Sequence, residues 1–263
     1  MKGKREQIYQ LLLGILLVCA LPVMALLGYW ACRYSYYGTV DYSIRNILVK
    51  DTAWKHILVF LLAVAVVWGL DRMLARTKRV QQEKICLGVL ILTVVAAFIL
   101  GILYILKNPY FPEGDQIGVA AFAAYAREGN YVMLGPGGYV GMYQQQKGLG
   151  ALYEILFTFF GNFNYTSAKI AHVIWWLFAI LAGYGFLKLN TDRAVFRILY
   201  CAMLLGCMPF LLYLPYIYGD ILSVSFCMLL FWAVSAYEHY EQKRYLALAA
   251  FAAAMALLAR KNT

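Results

Sequence analysis

Between Lys84 and Lys107 the chain carries no charge, so residues 85–106 form one unbroken apolar run. At about 1.5 Å per helical residue, that run is long enough to cross a hydrocarbon core about 30 Å thick. Lipid offers the backbone no hydrogen-bond partner, so a run of this kind has to satisfy its own amides as an α-helix. Further apolar stretches at 8–31, 54–70, 168–187, 196–218 and 221–237, and one starting at Tyr245, bring the expected number of spans to about seven, the last incomplete. Composition agrees. Hydrophobic residues make up 63% of the chain and charged residues 14%, too few polar groups to clothe a soluble domain. The expected fold is all-α: a polytopic transmembrane helical protein.

The formal net charge of +10 would point to nucleic acid in a soluble chain. In a membrane protein it points instead to cytoplasmic loops rich in Lys and Arg. The stretch DRMLARTKRVQQEK (71–84) carries Arg72, Arg76, Lys78, Arg79 and Lys84 and is read as cytoplasmic, which puts the N-terminus inside too. The opening MKGKREQ resembles a signal sequence, but the apolar part that follows is too long for one and is read as an uncleaved span. Residues 1–84 then form a transmembrane hairpin with a basic loop, and 85–263 a second region with an outer loop at 107–147. The short apolar stretch 149–160, interrupted by Glu154, decides the rest. Read as an interfacial helix, it leaves Lys188, Arg193, Arg197, Lys243 and Arg244 on the cytoplasmic side with the basic loop. Arg33, Arg45, Lys50 and Lys55 run against that bias.

The outer segment differs in kind from the spans. KNPYFPEGDQ precludes a continuous helix, QIGVAAFAAYARE has the spacing of an interfacial helix, and GNYVMLGPGGYVGMYQQQKG is rich in Gly and Tyr without a period. A connection this long in a compact protein is usually functional or disordered, and its aromatic content argues against disorder. The six cysteines form no CxxC or Cys/His spacing, and His56, His172 and His239 are scattered, so no disulfide framework or zinc site is indicated.

Chemistry has few places to sit. Of six aspartates, Asp41 and Asp51 fall in the first outer loop, and Asp71 and Asp192 lie beside basic residues in cytoplasmic turns. Asp115 and Asp220 remain, each at a membrane boundary among aromatics and both on the outer side in this topology. Acidic groups at such boundaries are functional candidates. The plainer alternative is a solvated or helix-capping carboxylate, and Asp220 stands where an N-cap would. Tyr131, Tyr139 and Tyr143 suit either a sugar site or a membrane interface.

Five pieces carry a resemblance: PEGDQ (112–116), GNY (129–131), MYQQQKGLG (142–150), LFTFFG (156–161) and PFLLYLPYIYGD (209–220). In this order they resemble the N-terminal half of the protein O-mannosyltransferase-like, polyprenyl-phosphate-dependent glycosyltransferases of the GT-C fold, over roughly residues 85–263. Two positions differ from the usual family pattern. Gln116 stands after Asp115 where Glu is common, and Gln144 stands after Tyr143 where Pro is common.

The resemblance implies a membrane enzyme that moves a sugar from a polyprenyl-phosphate donor to an acceptor hydroxyl on the outer face of a bacterial cytoplasmic membrane. It implies Asp115 as general base and Asp220 as a carboxylate near the donor phosphate, positioning a basic side chain or a metal ion. Glu113, Tyr143 and Gln146 would contact acceptor or sugar, and Lys147 and Arg260 the phosphate. Partners would be the lipid-linked sugar, an acceptor glycan, lipid or protein, and membrane lipids, with no nucleic acid. Whether a divalent metal takes part is left open. Competing readings are a non-catalytic scaffold or truncated pseudoenzyme and a transporter or flippase of lipid-linked substrates. The last apolar stretch stops just after its only charges, Arg260 and Lys261, with no closing loop, so the chain is read as the front portion of a longer protein.

Overall fold

The structure is a computed structural model that describes residues 11, 14, 18–19, 21–26, 28–29, 34–38, 46–50, 52–108 and 111–260. The chain divides into two compact units, Met1–Leu70 and Asp71–Thr263. In the first, the described residues between 11 and 29 are helical and exposed. Tyr34–Gly38 (β1) then pairs antiparallel with Asn46–Lys50 (β2), Tyr34 opposite Lys50 and Gly38 opposite Asn46. This ribbon departs from the all-helical expectation. Its Tyr, Ile and Val favour extended backbone, a preference that the search for long apolar runs passes over. Asp41, Asp51, Arg33, Arg45 and the basic opening 1–7 lie outside the described residues.

The other regular elements described are helices. Helix α1 (Ala53–Ala75) runs across the boundary between the units, and α2 is Arg79–Lys107. Both extend into the charged stretch read as a loop, because Arg, Lys, Gln and Glu are good helix formers. Only a short corner separates them, where Thr77 Oγ1 donates to the Leu74 carbonyl at 2.7 Å and Gln82 Nε2 to the same oxygen at 2.9 Å. Then follow α3 (Asp115–Arg127), α4 (Tyr139–Met142), α5 (Lys147–Phe160), α6 (Tyr165–Asn190), α7 (Ala194–Gly206), α8 (Met208–Tyr213), α9 (Asp220–Tyr240) and α10 (Lys243–Ala259), with 3₁₀ turns at Val132–Leu134 and Gln144–Gln146.

Among the described residues four helices, α1, α2, α6 and α9, are long and apolar enough to cross a membrane. The expected single span 196–218 is broken instead into α7 and α8 at Cys207. Pro209 lacks an amide hydrogen and its ring would clash with the carbonyl four residues back, which kinks or breaks a helix, and here it stands at the start of α8. Asn164, formally part of a glycosylation sequon, caps α6 by accepting from the Ser167 amide at 3.1 Å.

Small residues set the helix spacing, as expected where lipid removes most of the drive to bury side chains. Gly101 of α2 lies against Val173 and Leu214, Gly183 of α6 under Tyr200, and Gly185 against Trp232. Ala249, Ala252, Ala256 and Ala259 are buried along one stripe of α10. Large apolar side chains such as Leu92 and Phe159 point outward. This pattern and the four long helices suit a membrane protein.

Polar contacts gather where α2 begins and α6 ends. Arg197, buried in the first turns of α7, makes a two-point pair with Glu83, its Nη2 and Nη1 lying 2.6 and 2.8 Å from the carboxylate oxygens. Arg79–Asp192 and Arg193–Asp71 lie nearby. Their worth differs sharply. The Arg197 side chain is 3% exposed and Glu83 41%, whereas Arg79 and Asp192 are 79% and 87% exposed. Truncating one member of a buried pair strands the other, while exposed pairs contribute little. Glu83→Ala should therefore lower stability by about 2 kcal/mol, discounted for the exposure of Glu83. Asp192→Ala should leave the thermal midpoint in detergent unchanged, and equal shifts for both would refute this ranking.

Candidate functional site

Opposite the charged end lie the end of α2, the starts of α3, α6 and α9, and the end of α10. Phe111 meets Tyr165 edge-on there, with ring centroids 6.4 Å apart. Asp115 and Asp220 occupy matching positions, each the first residue of its helix and each preceded by a glycine that serves as N-cap. The N-cap place before α9 falls to Gly219 and not to Asp220, so the plainer alternative of a capping carboxylate does not describe that residue. A carboxylate in the first turn still gains from the helix dipole, and its oxygens are left for other partners.

For Asp220 that partner is Arg260, which follows α10 and forms an ion pair with Oδ1. The contact depends on close backbone approach. Gly219 lies against the Ala259 carbonyl and Gly148, in the first turn of α5, against the Leu258 carbonyl, with no room at either place for a Cβ. Asp115 has Tyr139 of α4 as its neighbour. Burial, and then the Asp115 charge, push the Tyr139 phenol well above its usual range, so it stays a hydrogen-bond donor. Its ring covers Gly118 and packs at 5.0 Å from that of Tyr143.

Asp115, Gln145, Gln146, Tyr218, Gly219, Ala259 and Arg260 line one cavity of about 480 Å³. Beside it, Pro209, Phe210, Tyr213, Asp220, Ile221 and Val224 line an apolar groove of about 270 Å³. The Asp220–Arg260 pair thus stands between a polar chamber and an apolar one. Of the residues expected from sequence, Asp115, Gln146 and Arg260 line the chamber and Asp220 the groove. Glu113, Tyr143 and Lys147 are exposed and are not among the lining residues.

The turn 214–219, which leads into Asp220, is held from two sides. Gln116 Oε1 accepts from the Ile217 amide at 2.8 Å. His172 Nδ1 lies 2.9 Å from the Leu214 carbonyl and its Nε2 lies 2.6 Å from the Tyr153 hydroxyl. A carbonyl only accepts, so Nδ1 carries the hydrogen and Nε2 accepts from Tyr153. Both ring nitrogens of His172 are therefore engaged within the protein.

The pieces quoted for the resemblance each have a local structural role. GNY closes α3, with Gly129 at φ 75° and Asn130 Oδ1 accepting from the Val132 amide at 3.1 Å. Gly161, at φ 97°, ends α5. Among the described residues no group of three or more His, Cys, Asp and Glu side chains comes together. Gln116, Gln145 and Tyr218 were not expected at this site from sequence, and Tyr139 was left open between a sugar site and the membrane interface. A glutamine in a helix's first turn or in a QQQ run reads as a surface residue, and Tyr139 and Tyr218 read equally well as membrane-interface aromatics.

No family model, no curated protein and no solved structure matches this chain.

The glycine contact generates a test. Gly219→Ala would drive a methyl into the Ala259 carbonyl and should lower the thermal midpoint in detergent, whereas Gly206→Ala, with open space around it, should be neutral. Equal behaviour of the two would refute the close approach.

Proposed function

We propose that this chain belongs to a membrane glycosyltransferase that moves a sugar from a polyprenyl-phosphate donor to an acceptor hydroxyl on the outer face of a bacterial cytoplasmic membrane. The observation that carries the proposal is that the Asp115 carboxylate and the Arg260 guanidinium line one cavity, with an apolar groove beside the Asp220–Arg260 pair. In this reading the GT-C resemblance supplies the reaction class. The chain has about seven spans with the N-terminus inside.

The chemistry needs few groups. A glycosidase protonates its leaving group and so uses two carboxylates. A lipid phosphate leaves unaided, and one general base is enough. Asp115 takes the proton of the acceptor hydroxyl as that oxygen attacks the anomeric carbon. The new carbon–oxygen bond forms as the bond from the anomeric carbon to the phosphate oxygen breaks, and the electron pair leaves with the polyprenyl phosphate. Attack from the face opposite the phosphate inverts the anomeric centre. In this reading the protonated Tyr139 phenol, neighbour to Asp115, holds the carboxylate in register. Arg260 meets the charge left on the phosphate, as guanidinium groups do, and Asp220 holds Arg260 in place. The groove walled by Pro209, Phe210 and Val224 suits an isoprenoid chain. Gln145 and Gln146 offer amides to sugar hydroxyls.

In the full-length protein Asp115→Asn should cut transfer by about 10²–10⁴-fold, the usual contribution of a general base, while expression, membrane insertion and thermal midpoint stay unchanged. Arg260→Gln should mainly raise KM for the lipid donor. Both are read by product formation from a polyprenyl-phosphate sugar in lipid vesicles. Full activity of Asp115→Asn refutes the mechanism, and movement of the lipid-linked sugar across the bilayer without a covalent product would make the protein a transporter.

A further inference from the structure

We infer that Gln116 is a positioning residue: by holding the Ile217 amide it sets the turn 214–219, and through that turn the place of Asp220 and Arg260 relative to Asp115. The role in transfer rests on the function proposed above, while the contact itself does not.

Gln116 is 3% exposed and directly follows Asp115 in the first turn of α3, so its side chain and the Asp115 carboxylate leave the same short piece of backbone. Within the turn, the amides of Tyr216 and Tyr218 bond to the carbonyls of Tyr213 and Tyr216, at 3.1 and 2.9 Å. The Ile217 amide bonds instead to Gln116 Oε1. Ile217 is 1% exposed, and water offers its amide no easy substitute. The next residues are Tyr218 and Gly219, which line the cavity, and then Asp220, which pairs with Arg260. One side chain therefore couples the backbone under the proposed base to the backbone under the pair that receives the phosphate.

The residue type fits this task. A neutral amide offers an acceptor oxygen in a buried place without bringing a charge. A carboxylate would offer the same oxygen together with a second negative charge next to Asp115, and like charges raise each other's pKa. Gln116→Glu and Gln116→Leu thus separate the two properties: the first keeps the acceptor and adds charge, the second keeps the bulk and removes the acceptor.

The experiment combines amide hydrogen exchange with steady-state kinetics on the full-length protein in lipid nanodiscs, using a polyprenyl-phosphate sugar as probe. Gln116→Leu should speed exchange in the segment 214–220 at least tenfold while α6 exchanges as before. It should also raise KM for the donor more than it lowers kcat. Gln116→Glu should restore slow exchange and move the acid limb of the pH–rate profile upward, since a neighbouring carboxylate makes Asp115 harder to ionise. Unchanged exchange in Gln116→Leu would overturn the inference. Faster exchange throughout the protein, without rescue by Gln116→Glu, would also overturn it, since that is a general folding role. If the unsubstituted protein transfers no sugar, the proposed function fails, and the exchange arm alone decides whether Gln116 holds the turn.

Discussion

The backbone between α8 and α9 belongs to no helix, yet Leu214 and Ile217 are buried within it. Two neutral side chains hold it in place, Gln116 from the start of α3 and His172 from the interior of α6. The arrangement solves a general difficulty. Irregular backbone at depth must find partners inside the protein, because lipid supplies none. With those partners the turn delivers Tyr218, Gly219 and Asp220 to the edge of a cavity. This edge of the cavity therefore rests on two hydrogen bonds, one made by Gln116 and one by His172.

The rest of the second unit serves to keep that meeting point in register. Gly101 admits Val173 and Leu214, Gly148 admits the Leu258 carbonyl, and Gly219 admits that of Ala259. Each absent side chain lets two segments approach to van der Waals distance, which is the main source of attraction between helices in lipid. At the far end the buried Arg197 and its partner Glu83 tie α7 to α2, with Tyr184 flanking the guanidinium at 5.9 Å. One end is fixed by charge, the other by shape and by neutral hydrogen bonds.

Much of this architecture is legible in residue order. The long helices follow from apolar runs, and 149–160 lies in a single short helix. Helix ends were less legible, since Arg72 and Glu83 continue helices that the apolar pattern stops. Pro209 broke a span whose length alone implied continuity. Asp115 and Asp220 stood out because carboxylates are scarce in such a chain. Arg260 was among the basic residues considered for a phosphate, but sequence could not choose between it and Lys147. Gln116 stood out only as a residue where Glu is common, with no sign of what it holds, because an amide gains its meaning from the amide opposite.

By itself the sequence determined that the chain is largely helical, that several helices are apolar enough for a membrane, and that its few carboxylates lie near helix ends. Those properties are local: they depend on the length, hydropathy and turn residues of one segment at a time. Only the tertiary structure decided that Asp220 pairs with Arg260, that Asp115 shares a cavity with that arginine, and that Gln116 fastens the turn between them. These contacts join segments far apart in the chain through small-residue gaps and single hydrogen bonds, and a gap left by a glycine has no meaning until the backbone that fills it is known.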